Sequence, residues 1–149
     1  MILKNNNVLT FIATLLLTIS SNLVYADKSK DYGDYIVHYN AFTTDILQAE
    51  TAKQYQIRRS RNRGMINISV QKKNETNTAV TAAVSGTASN LTGQLKSLSM
   101  KEIKEGKAIY YISDFSVSNR ETLDFSVDIK VDGKEKPLKV TFRQQFFTR

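Results

Sequence analysis

Beyond residue 30, apolar and polar residues alternate with a period of two through much of the chain. The clearest run is 122–131 (TLDFSVDIKV). Leu123, Phe125, Val127, Ile129 and Val131 fall on one side, and Thr122, Asp124, Ser126, Asp128 and Lys130 on the other. Successive strand residues point to opposite faces, so this pattern predicts a strand with one face in a core and one in water. Asp132-Gly133 follows at once, a strong hairpin-turn signal. After Pro137 the alternation resumes, with Leu138, Val140, Phe142 and Phe146 set against Lys139, Thr141, Arg143 and Gln145. That predicts the returning strand.

The same reading predicts a strand over 34–42, with Tyr35, Val37 and Tyr39 opposite Ile36, His38 and Asn40. Further strands are predicted over 65–72, 79–90, 94–104 and 108–117, and good helix formers predict one short helix over 48–55. About seven antiparallel strands, with turn signals every ten or so residues, predict an all-β domain. The expected fold is an immunoglobulin-like antiparallel β-sandwich, with a small open barrel as the alternative. Residues 76–95 carry no charge. They are too rich in Thr, Ser, Asn and Gly for a lipid-facing helix. An uncharged strand at a sheet edge invites aggregation, so this one is expected to be paired or covered.

The start of the chain follows a different pattern. Residues 1–7 are polar with one charge, Lys4, and 8–19 (VLTFIATLLLTI) are apolar apart from three threonines. Val24 and Ala26 then stand at −3 and −1 of a cut. A basic start, a short apolar run and a small-x-small end make a secretory signal peptide. A membrane anchor would need about 20 predominantly apolar residues. A cut after Ala26 leaves 27–149, 123 of the 149 residues, as a single β-sandwich domain without a linker or repeat. The net charge of +7 becomes +6 as Lys4 leaves. Periplasmic or secreted localisation is the expectation.

Composition narrows the chemistry. With no cysteine there is no disulfide, thiolate metal site, cysteine nucleophile or lipoprotein anchor, and a single histidine excludes a His-cluster site. No cofactor is expected. His38 could bind copper(I) with the thioethers of Met65 and Met100; the plainer reading hydrogen-bonds it within the sheet. No G-x-S-x-G elbow or S-x-x-K box supports a nucleophile. The carboxylate pairs Asp124 with Asp128 or Glu102 with Glu105 could in principle serve glycoside cleavage. The protein is expected not to be an enzyme. Three Asn-x-Ser/Thr triplets occur, at Asn67, Asn74 and Asn90; they mark surface loops if the source glycosylates them, and the place of Asn67 inside a predicted strand favours chance.

The densest charge is Arg58, Arg59, Arg61 and Arg63, four arginines in six residues. Guanidinium forks bind phosphates and carboxylates bidentately, so these residues are the candidate site for an anionic partner. The plainer reading is a solvated loop paired with Asp31, Asp34 or Glu50. If the following strand starts early, Arg59, Arg61 and Arg63 share one face. No nucleic-acid-binding motif accompanies them, and nucleic acid is not an expected partner.

Several strings together carry a resemblance: HYNAF at 38–42, RSRNRG at 59–64, NISV at 67–70, VSGTASNL at 84–91, EGKAIYYISDFSVSN at 105–119 and ETLDFSVDI at 121–129. In this order they resemble a domain-of-unknown-function family of small exported proteins of Gram-negative bacteria. The resemblance implies export and a compact β domain, and brings no activity, cofactor or catalytic residue with it. The combined expectation is a non-enzymatic binding module for an anionic envelope partner, such as an acidic protein, lipopolysaccharide phosphates or a polyanionic glycan. The alternatives are a metal-handling protein using His38 and, less favoured, a hydrolase.

Overall fold

The computed structural model describes residues 28–149; the expected leader lies outside them. The strands are β1 (Lys28–Asp31), β2 (Tyr35–Thr43), β3 (Arg63–Lys72), β4 (Thr78–Ala79), β5 (Ala82–Asn90), β6 (Leu95–Leu98), β7 (Lys101–Glu105), β8 (Ala108–Ser116), β9 (Thr122–Val131) and β10 (Leu138–Gln145). Between β2 and β3 lie a 3-10 turn (Thr44–Ile46) and the helix α1 (Ala49–Gln54). One sheet has the order β1-β2-β3-β8-β7, with β4 on the end of β3; the other has the order β10-β9-β5-β6. Every pairing is antiparallel. This is the expected β-sandwich, and the short helix falls where helix formers gather.

Among the described residues ten strands replace the expected seven, and each addition has a physical origin. The first, β1, is KSKD, exposed throughout and too polar to show a buried face. Within 79–90, β4 stays on β3 whereas β5 pairs with β9 in the opposite sheet, so the chain breaks at Val80 and Thr81. Within 94–104, β6 pairs with β5 and β7 with β8, so the chain changes sheets at Ser99 and Met100. Leu98 and Met100 join the core between the sheets, but Ile103, out of step by one, joins a cluster on the outer face. A one-residue shift of parity turns every following side chain to the other face.

The core follows the alternation. Leu123, Phe125, Val127 and Ile129 of β9 are almost wholly buried, opposite Ile66, Ile68 and Val70 of β3. Phe125 stacks on Phe142 of β10 with centroids 4.7 Å apart and lies 5.6 Å from Phe115 of β8. The uncharged stretch is indeed paired, since β5 runs between β9 and β6. There Gly86 has no alternative: a Cβ would stand 2.8 Å from the Ser126 carbonyl oxygen.

Side chains close the flanks. On one, Lys30 Nζ and the Tyr32 hydroxyl both donate to the Lys139 carbonyl. On the other, Lys96 Nζ lies 2.9 Å from Glu121 Oε1 and 2.6 Å from the Ser116 carbonyl. Two of the Asn-x-Thr triplets are turn devices. Asn74 and Asn90 each accept the N–H of the residue two ahead, together with that threonine's hydroxyl. An Asn side chain mimics a backbone turn in this way.

Candidate functional site

The four arginines sit where the chain returns from α1 to β3, and one buried hydroxyl fixes the path. Thr44 is wholly buried. Its Oγ1 accepts the Ser60 N–H at 2.9 Å and lies 2.8 Å and 3.1 Å from the carbonyls of Arg58 and Ser60, to which its hydroxyl donates. The Val117 N–H donates to the Asn62 carbonyl at 2.9 Å, joining the loop to the end of β8. The arginines are thus presented on a held backbone.

Their partners differ from those expected. Arg59 Nη2 donates to the Asp45 carbonyl at 3.0 Å, and Arg61 Nε lies 3.6 Å from Asp45 Oδ2. Arg63, half-buried, binds the Asp114 carboxylate through Nε and Nη2. Arg58 is exposed, without an ion-pair partner among the described residues. Asp31 is held by Lys73 at 2.8 Å instead, and neither Asp34 nor Glu50 meets an arginine among the described residues. Nor is there a shared stripe. The strand begins at Arg63, which leaves Arg59 and Arg61 in the loop before it. Four guanidinium groups face two carboxylates, so the loop keeps a positive surplus.

The loop inherits its direction from the end of α1. Ile57 N–H donates to the Ala52 carbonyl at 2.8 Å and Gln56 N–H to the Lys53 carbonyl at 3.2 Å, the two bonds of a Schellman cap. Gln56 occupies the left-handed position with φ of 57°. Glycine suits that conformation, whereas a Cβ makes it costly. Gln56→Gly is expected to stabilise the protein by about 1 kcal/mol, read as a higher denaturation midpoint. A lower midpoint would show that the Gln56 side chain holds the loop.

The other candidate residues do not converge. His38 lies on the outer face of β2, with Nε2 3.3 Å from Gln71 Oε1. The residue opposite it on β3 is Ser69, and Met65 is four positions further on, roughly 13 Å along the strand. Met100 packs against the core on the other side of the sheet. These three residues are therefore not one ligand set, and no group of three or more His, Asp or Glu among the described residues is placed to hold a metal.

The carboxylate pairs are likewise engaged separately. Arg143 grips Asp124 through Nε at 2.6 Å and Nη2 at 2.8 Å, which holds that carboxyl below its ordinary range. Asp128 lies 3.7 Å from Lys139 Nζ. On β7, Glu102 and Glu105 are three residues apart and so point to opposite faces. Glu102 accepts from the Tyr111 hydroxyl at 3.1 Å, whereas Glu105 lines the same cavity as Tyr55 and its negative charge raises that phenol's pKa.

The sequence reading did not anticipate an apolar cavity of about 190 Å³ between α1 and the outer face of the first sheet. Its signal was present as adjacent apolar residues, Met65-Ile66 and Tyr110-Tyr111-Ile112, which mark strands buried on both faces.

A family model described as a domain of unknown function, DUF4426, matches residues 29–149. A crystal structure of a DUF4426 family protein from Pseudomonas aeruginosa PAO1 is similar with a TM-score of 0.72 and 32% identity, covering 83% of this chain and 96% of that one. Two structures of FetP from uropathogenic Escherichia coli strain F11 share the fold at 10% and 9% identity, with TM-scores of 0.58 and 0.57. They cover 83% of this chain in each case, and 97% and 95% of their own. The first is a copper-bound variant; the second is the protein as isolated after recombinant expression in the periplasm of E. coli BL21(DE3). None of the curated proteins matches.

Proposed function

The chain belongs to the DUF4426 family, and from that premise we propose that it is an exported, non-enzymatic binding module that takes an anionic envelope partner on its arginine loop. The observation that carries this reading is the loop's construction. Thr44 fixes its backbone, while Arg58, Arg59 and Arg61 stay exposed with the carboxylate of Asp45 as their one ion-pair partner among the described residues. An ordered loop loses little freedom on binding, and guanidinium groups suit phosphate, sulfate and carboxylate equally. The leader pattern of 1–26 supports a periplasmic setting. Among the described residues no helix is long and apolar enough to cross a membrane. The reading through His38 lacks comparable support, because its proposed thioether ligands lie elsewhere in the fold.

The test is retention on immobilised heparin or lipopolysaccharide over a salt gradient. Retention of the unaltered protein should fall steeply with salt, since exposed charges are screened beyond about 8 Å at physiological ionic strength. Replacing Arg58, Arg59 and Arg61 by Gln should abolish it while leaving the fold intact, as exposed charges contribute about 0–1 kcal/mol each to stability. Arg63 is left in place because it is committed to Asp114. A variant with Gln at Lys130, Lys134 and Lys136 removes the same charge elsewhere and should keep most of the retention. Equal losses from the two variants would assign retention to net charge alone and remove the loop from consideration.

A further inference from the structure

None of the four arginines of the loop lines the cavity under α1. Strand alternation should leave the outer face of the first sheet polar, yet Met65, Ile103 and Ile112 there are only 4%, 9% and 8% exposed. Leu47 and Tyr55 roof them over without filling the space. A cavity of about 150 Å³ accepts a benzene ring. At about 190 Å³ this one has room for a ring, or a branched alkyl group of similar size, with a short tether.

The polar groups around it share a character. Asn67, in the floor, has its side-chain oxygen buried with no hydrogen-bond partner among the described residues. That is an acceptor lacking a donor, an uncommon state for a buried polar atom. Glu105 also lines the cavity, with its carboxylate near enough to Tyr55 to raise that phenol's pKa. Among the described residues no lysine or arginine lines the cavity. In a protein of net charge +7, the one charged group lining this cavity among the described residues is negative.

We propose that the cavity binds a small apolar amine: a ring-sized body enters under α1, and its ammonium group meets the Glu105 carboxylate. An ammonium–carboxylate hydrogen bond is among the stronger kinds. The apolar walls hold the body by excluding water from both surfaces.

Phenethylamine is a suitable probe, with 3-phenylpropionate, of similar size and opposite charge, as its counterpart. Binding is followed through the methyl NMR signals of Met65, Ile103 and Ile112. Phenethylamine should produce saturable shifts at the methyls of these three residues. Glu105→Gln should raise its midpoint about tenfold, the scale of a hydrogen bond to a charged group. The exposed Glu135→Gln should leave the midpoint unchanged, and a thermal melt of each variant verifies the fold. Saturation by 3-phenylpropionate at the same concentration, or an unchanged midpoint in Glu105→Gln, would overturn the amine assignment. Absence of saturation with either probe would overturn the site itself. Neither outcome bears on retention by the arginine loop.

Discussion

Phe125→Ala is expected to destabilise the domain by about 3–5 kcal/mol in chemical denaturation, the scale for truncating a packed aromatic. Phe125 is 2% exposed and at the centre of the phenylalanine cluster, stacked on Phe142 and tilted against Phe115. Removing the ring takes a contact from both neighbours and leaves a void between the sheets. The neighbours cannot readily move in, since Phe125 and Phe142 are paired in register across β9 and β10. A loss under about 1 kcal/mol, as surface substitutions give, would place Phe125 on the wrong face of β9.

The second large effect concerns Lys96 and Glu121, whose side chains are only 17% and 12% exposed. Burial alone would raise the Glu121 pKa, but hydrogen bonds from Lys96, the Ser118 N–H and Asn90, with the Lys96 charge, outweigh it, and the net shift is downward. Lys96→Met leaves a mostly buried carboxylate without its cation. Breaking a fully buried pair from one side costs about 3–5 kcal/mol; the exposure remaining here brings the expected loss to about 2–4 kcal/mol at neutral pH. The pH dependence has a definite sign. A carboxyl whose folded pKa is below its ordinary value of 4.5 binds fewer protons folded than unfolded. Its stabilisation is complete above pH 4.5 and is lost as pH falls through the folded value. Asp31 and Asp124, also shifted down, act in the same direction. Denaturation at pH 7 and pH 3 should show the unaltered protein weakening in acid, and the difference between it and Lys96→Met shrinking there. A constant difference at both values would mean that Lys96 acts through packing alone.

What the sequence disclosed depended on how local the determining contacts were. The β9–β10 hairpin was legible, because alternation, an Asp-Gly turn and a single buried face all lie within 24 consecutive residues. The sheet change at Ser99 and Met100 was not, since β6 and β7 read as one polar-rich run until their partners are known; only the parity of Ile103 betrays it. The arginine cluster was visible by composition, but its partners were not. Asp45 reaches it through the turn after β2, and Asp114 across the β3–β8 pairing, more than 40 residues away. The apolar cavity lay furthest from view. It exists only because α1 folds over strand positions that are far apart in sequence.

The two residues between β6 and β7 have a mechanical consequence. From Leu98 to Lys101 is three steps along the backbone, a reach of at most about 10–11 Å. Packed sheets stand about 10 Å apart, so this crossing is close to taut. It leaves no slack by which one sheet could slide or peel while both β6 and β7 stay paired. Pulling on the sandwich should therefore give one rupture event instead of two, and the sheets should open to hydrogen exchange together.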